Sequence, residues 1–356
     1  MHFNYGKIPE EYRRYIRRKT VFIAGTAVIL VCTTVVAISL GAADIPIPSV
    51  VKSLLGIEES KRFDTIIKNI RLPQALAAML AGAGLSAAGA AMQSILRNPL
   101  GSPFTLGISH AAAFGAALSV MLLGGGVMSS TTVGAVTVTN PYITTVSAFA
   151  FSLLAAFIII GISRLRGTSP EIMILTGVAL GALFTAGTMF LQFFADDVQL
   201  AAMVFWTFGD TARAAWSELG FIAAICLICC AYFIANSWNL NAIDTGDETA
   251  MGLGIRVDRL RLVTMMLSSL LTAAIIAFLG IIGFVGLVVP HMVRRIIGSD
   301  HRFLMPASIL LGALLLLISD TAARLMLAPH VLPVSVLTAF MGAPVFLLLI
   351  LKGGRR

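Results

Sequence analysis

Residues 71–115, RLPQALAAMLAGAGLSAAGAAMQSILRNPLGSPFTLGISHAAAFG, decide how this chain is read. The first part is apolar, crowded with glycine and alanine, and exceeds the roughly 20 residues that a helix needs to cross a bilayer. It breaks at Asn98-Pro99 and resumes as a second Gly/Ala-rich run. Helices in lipid associate by close packing rather than by a hydrophobic driving force, so small side chains mark surfaces where backbones meet. A bundle of that density around the polar Gln93, Asn98 and His110 suits a machine that moves a solute across a membrane.

The rest of the chain agrees. Of 356 residues, 58% are hydrophobic and 12% charged, with a mean hydropathy of +0.94. A soluble domain carries about twice that share of charge, so the chain is an all-α integral membrane protein. No stretch is polar enough for a soluble catalytic domain, and residues 1–356 read as one transmembrane domain. Spans are expected near 20–41, 71–96, 104–124, 142–163, 171–194, 218–236, 261–279, 281–297, 303–326 and 333–351. The N-terminal run Tyr12–Lys19 followed by Thr20–Leu40 has the outline of a signal peptide, but its apolar part is of spanning length and a retained first helix is the better reading.

Charge distribution sets the expected orientation. With the N-terminus in the cytoplasm, 18 of the 25 basic residues fall inside and 7 outside, as the positive-inside rule requires. Basic clusters at both termini demand an even number of spans, which ten satisfies. The net charge of +8 therefore belongs to span ends and not to a nucleic-acid surface. Cys32, Cys226, Cys229 and Cys230 all lie in apolar runs. The last three lack a second ligand pair and read as packing residues, with no metal expected.

Three segments outside the plain spans stand out. Trp238–Arg261 is the longest expected cytoplasmic loop after the N-terminal tail. Asp244, Thr245 or Asp247 is placed to cap a short helix starting near Glu248, with Gly252 or Gly254 ending it. The result is a knob suited to docking a partner, with an ordinary solvated loop as an equal alternative. In Gly283–Arg302, Pro290 is expected to interrupt a helix directly before His291, which reads first as a histidine satisfied within the bundle and second as a proton relay. In Ser319–Pro344, Asp320 and Arg324 stand four apart and can pair on one helix face, while Pro329 and Pro333 bracket a turn.

Taken together these segments resemble the FecCD family of ABC importer permeases, which take up iron–siderophore complexes, haem and cobalamin. The resemblance rests on Arg71-Leu72-Pro73, Gly89 with Gln93, Asn98-Pro99-Leu100, Leu106–Ser109, Gly283–His291, Asp300-His301-Arg302, Asp320 with Arg324, and Gly342–Phe346, in order from about Ile45 to the C-terminus. It implies a ten-span, type II importer permease that forms a homodimer in a prokaryotic (inner) membrane with both termini cytoplasmic. Two ATPase subunits would bind beneath it and an extracytoplasmic substrate-binding protein would dock outside. ATP and magnesium would be used by the ATPase, and no cofactor is implied on this chain. Asp247, Glu248, Ala250, Gly252 and Gly254 match the ATPase-coupling segment, which shifts the even balance at 238–261 towards docking. Arg71 and Arg324 match arginines that receive the binding protein, although the second arginine common three residues after the first is here Gln74. Thr168 and Ser169 match the cytoplasmic gate, and Ile172–Phe194 the pathway-lining helix. Gln93, Asn98, His110, Pro290 and His291 are assigned to pathway and packing. Where the family commonly has glycine, this chain has His110-Ala111, so the nature of the cargo is the open point.

Other classes fit less well. No Walker-type glycine loop with Lys-Ser/Thr is present, so ATP hydrolysis must come from a separate subunit. Ion-coupled carriers place carboxylates in mid-membrane, whereas Glu171, Asp196, Asp197, Glu218 and Asp320 fall at span ends. No HExxH or GxSxG pattern supports a membrane-embedded enzyme. Within the resembled family, molybdate or tungstate is the alternative to a metal chelate.

Overall fold

The computed structural model describes residues 10–41, 43–57, 60–123, 141–327 and 330–353. The expected loop 124–140 and Pro329 lie outside them. The described elements are helices: α1 (Glu10–Ser39), α2 (Ile47–Leu54), α3 (Lys61–Ile66), α4 (Leu72–Ile95), α5 (Ile108–Leu122), α6 (Pro141–Arg166), α7 (Pro170–Phe194), α8 (Asp197–Thr207), α9 (Trp216–Ala235), α10 (Ser237–Thr245), α11 (Asp247–Gly252), α12 (Val257–Leu279), α13 (Val285–Ile297), α14 (His301–Met326) and α15 (Val334–Gly353). A π-helical turn, Ile67–Arg71, joins α3 to α4.

Each expected span contains one of these helices, and seven helical segments are long and apolar enough to cross a bilayer. The chain is thus a multi-pass membrane protein. α5 and α13 are shorter, at 15 and 13 residues. The third span begins at Ile108 rather than Phe104. The Ser102 amide donates to Thr105 Oγ1 at 3.0 Å, and Thr105 Oγ1 donates to the Leu100 carbonyl at 3.0 Å. These bonds fold residues 100–107 into turns, and Gly107 closes them in the left-handed region at φ +79°.

The Gly/Ala run becomes the axis of the bundle. In the most apolar window of the α3–α4 segment 83% of residues are buried, against 22% in α1 and in α7, which places α4 at the centre and the other two at the periphery. α14, α12, α13 and α9 pack around it. At the crossing of α4 and α14, Gly82 faces Gly312 so closely that a Cβ on either would overlap the other's carbonyl oxygen. Ser86 Oγ fixes the same crossing by donating to the Ser308 carbonyl at 2.7 Å. Lower on α4, a Cβ on Gly89 would overlap the carbonyl oxygen of Gly286 in α13. Pro290 does not interrupt α13, contrary to the expectation: it lies inside the helix. Its missing N–H only releases the Gly286 carbonyl, one turn back, and that carbonyl is the group lying against Gly89.

Candidate functional site

The α10–α11 knob and the helix ends beneath it form the first cluster. α10 starts at Ser237, earlier than the composition indicated, and α11 follows after Gly246, whose φ of +126° makes the turn. No side chain caps α11; the expected caps are used elsewhere. Asp244 Oδ2 lies 2.9 Å from His301 Nε2, which is also 2.7 Å from Ser94 Oγ. Asn241 brackets the start of α14, donating to Asp300 Oδ1 at 3.0 Å and accepting from the His301 amide at 2.7 Å. Burial pushes the Asp244 carboxyl upward, but the hydrogen bond and charge of His301 outweigh it and hold the group below its usual range. Asp300 is likewise opposed by burial, yet its bonds to Arg302 and Asn241 bring it down to about 2. The knob is therefore anchored at α10 and presents α11 outward. Ala250 is buried against Ile243, Val257 and Leu260. Glu248, Met251, Gly252, Leu253 and Gly254 are exposed. Met251 and Leu253 show 56% and 68% of their surfaces, an apolar pair beside a carboxylate that suits a protein partner more than solvent.

Beneath the knob lies Arg261, only 2% exposed. Its Nη2 donates to both Asp247 oxygens at 2.8 and 2.9 Å, Nη1 to the Thr168 carbonyl at 2.6 Å and Nε to the Ile95 carbonyl at 2.9 Å. Thr168 Oγ1 donates in turn to Asp258. Ser169 caps α7, accepting from the Ile172 amide at 3.4 Å. Sequence reading placed Thr168, Ser169 and Asp247 in this region but treated Arg261 as one more basic anchor. A signal was available, since Arg261 falls on the buried stripe of Val257, Leu260, Thr264 and Met265 at helical spacing.

The opposite end of the bundle departs from expectation. Arg71, expected to receive an acidic partner, is turned inward: it is 6% exposed and donates to the carbonyls of Ile38 and Ser39, each at 2.7 Å, and to that of Ala43. Arg324 pairs with Asp320 at 3.1 Å and also reaches the Ala37 and Leu40 carbonyls at 3.3 and 3.4 Å. The reason is local. The last carbonyls of α1 have no helical partners, and two guanidinium groups supply them. Gln74 faces the same core and donates to Asp320 Oδ1 at 3.2 Å, and Thr211 bonds that carboxylate too. The absent second arginine is thus replaced by an internal bond. Arg213 repeats the device, donating to the carbonyls of Phe205, Trp206 and Phe208 at the end of α8. Its burial lowers the guanidinium pKa to about 10, against a small opposing effect of Asp210.

Between the two ends, α5 and α7 form an open cavity of about 460 Å³. Thr105, Gly107, His110, Gly177, Gly181 and Thr185 line it. His110 packs on the Phe104 ring at 5.7 Å, and its Nδ1 is buried with no hydrogen-bond partner among the described residues. Gln93 lies away from this cavity and clamps α4 to α13: it accepts from Arg294 and donates to the Leu287 carbonyl at 3.2 Å. Asn98 builds the turn after α4, accepting from the Leu100 amide at 2.9 Å. His291 is half-buried on α13, three and four residues before Arg294 and Arg295. The cysteines of α9 pack in the core, with Cys226 and Cys230 sulfurs 3.9 Å apart. The structure therefore gathers His110 with α7 at the cavity, joins Asp247 to Thr168 through Arg261, and leaves Gln93, Asn98 and His291 elsewhere.

Among the described residues the protein is a helical membrane bundle with an exposed paired-helix knob and a cavity walled largely by small residues, an arrangement that fits a permease. The sequence profile of the FecCD transport family matches residues 29–352, and the chain belongs to that family. It is 49% identical over 349 residues to a Methanocaldococcus jannaschii protein named for an ABC transporter permease, covering 98% of this chain and 99% of that one. It is 37% identical to the Fe(3+)-citrate import system permease protein of Bacillus subtilis (94% and 96% covered) and 39% identical to the hemin transport system permease protein of Yersinia pestis (80% and 82%). Among solved structures it is similar to an inward-facing metal-chelate type ABC transporter, with TM-score 0.81, 31% identity, and 93% and 98% of the two chains covered.

Proposed function

We propose that this permease imports a metal chelate, as a homodimer with two ATPase subunits on the Asp247 face and a substrate-binding protein on the Arg71 face. The α5–α7 cavity carries the reading. Its wall is built from glycine, alanine, threonine, Val178, Met189 and a single imidazole, a surface that offers a bulky ligand room without a set of fixed charges. The relatives named above are permeases for iron citrate and hemin, in line with that class. The cytoplasm lies on the Asp247 side in this reading, following the basic residues. ATPase closure pushes Glu248, Met251, Leu253 and Gly254, and the Thr168–Ser169 gate at the start of α7 opens or closes in response. Arg71 and Arg324 order the outer rim by fixing the end of α1, and the binding protein docks on the rim so formed.

Reconstitution tests this. Proteoliposomes holding the permease, its ATPase and its binding protein are expected to accumulate radiolabelled ferric citrate, hemin or cobalamin only with ATP inside. Accumulation by the permease alone, or with a hydrolysis-dead ATPase, refutes the coupling. Uptake of molybdate with no uptake of any chelate refutes the cargo class.

A further inference from the structure

We infer that Arg261 is the positioning residue through which the ATPase-facing knob moves the gate, an assignment that rests on the docking reading above. The argument is geometric. One buried guanidinium holds three elements that touch one another little: α11 through Asp247, the α6–α7 connection through the Thr168 carbonyl, and the end of α4 through the Ile95 carbonyl. Both Asp247 oxygens accept from the single Nη2, at 2.8 and 2.9 Å, a charge-assisted contact that leaves Nη1 and Nε for the two carbonyls. The Thr168 contact is the shortest of the set, at 2.6 Å. The Ile95 contact ties the fork to α4, the most buried helix and so the least free to move. Asp258, three residues before Arg261 on α12, holds the Thr168 hydroxyl as well, so the connection before α7 is gripped at both its hydroxyl and its carbonyl.

The consequence is directional. A push on α11 displaces Asp247, and the rigid fork cannot follow without releasing or carrying Thr168. α7 begins two residues later, at Pro170, and lines the cavity. Lysine cannot replace arginine here, because a single ammonium lacks the planar fork that reaches a carboxylate and two carbonyls on different elements.

The test uses the complete complex of permease and ATPase in lipid nanodiscs, with the exposed Cys32 replaced by serine, a reporter cysteine at the exposed position 171 and a water-soluble maleimide as probe. In the otherwise unaltered permease, labelling is expected to differ at least fivefold between the nucleotide-free and the ATP–vanadate states. In Arg261→Gln and Arg261→Lys backgrounds that elute as monodisperse complexes with bound ATPase, the two states are expected to label within twofold of each other. A residue that merely stabilised the fold would lower the yield and leave the nucleotide response intact in the complexes that survive. A full response in both variants overturns the assignment. A permease that fails to retain its ATPase before any Arg261 change overturns the docking reading instead, and co-elution reports that separately.

Discussion

Replacing Arg71 by alanine separates two accounts of that residue. If it serves chiefly as a docking charge, the fold should be indifferent to its loss. In the structure it donates to three carbonyls, at Ile38, Ser39 and Ala43, and is 6% exposed. A hydrogen bond from a charged donor contributes about 1.5–3 kcal/mol, and a buried acceptor left unmatched costs about 1–3 kcal/mol. The end of α1 lies near the membrane surface, where water can replace part of the loss, so a net destabilisation of about 3–5 kcal/mol is expected rather than the full sum. At about 2 cal/mol/K of unfolding entropy per residue over 356 residues, that corresponds to a drop of roughly 4–7 °C. The assay is thermal unfolding in detergent of a Cys32→Ser background followed by a thiol-reactive fluorophore, since Cys32 is exposed whereas Cys226, Cys229 and Cys230 are buried and become reactive only when the bundle opens. Arg71→Lys should recover less than half of the loss, because an ammonium cannot span the three acceptors. An unchanged melting temperature in Arg71→Ala, with weakened capture of the binding protein, would refute the internal role and restore the docking one.

Other expectations follow from the same geometry. Gly89→Leu forces a side chain into the Gly286 backbone, and a loss above about 3 kcal/mol or failure to fold is expected, since overpacking already costs 1–3 kcal/mol where side chains can yield; recovery of folded protein in a membrane-expression screen checks it, and Gly220→Leu, where a Cβ meets open space, serves as control. Glu248→Arg combined with Met251→Arg alters the exposed face of α11 and should leave thermal stability within about 0.5 kcal/mol while reducing ATPase co-purification at least tenfold. Asp300, held at about 2 in the folded chain by Arg302 and Asn241 against a usual 3.8, contributes stability that is present above pH 3.8 and lost as the pH falls towards 2; Asp300→Asn should flatten that limb in acid-unfolding curves, with no change in slope near neutrality.

The transmembrane helices were legible because hydropathy and glycine content act locally, and each of the ten runs became a helix. The central place of α4 was legible too, since small residues at 82 and 89 have one physical use in lipid. Ends were harder. Nothing in the run 100–107 distinguishes a first helical turn from the Ser102–Thr105 hydrogen bonds that replace it. The short helices α2, α3 and α8 fell outside the span-based reading because they are too short to cross a bilayer. The arginines were misleading for a more general reason: a basic residue at a span end looks the same whether it faces lipid headgroups, a partner or the carbonyls of a neighbouring helix. Only distant contacts decide, as between Arg71 and Ile38 or between Arg261 and Ile95. Of the candidate site, the knob was visible as loop composition and Thr168 and Ser169 only through the family resemblance, while their connection through Arg261 was not visible.

Three helix ends among the described residues are closed by four guanidinium groups from elsewhere in the chain: α1 by Arg71 and Arg324, α4 by Arg261 and α8 by Arg213. A helix that stops inside or near a bilayer normally leaves bare acceptors, which limits where it can stop. Latches that stay charged across the whole physiological pH range lift that limit. Helices of unequal length can then share one membrane without leaving unmatched acceptors in it.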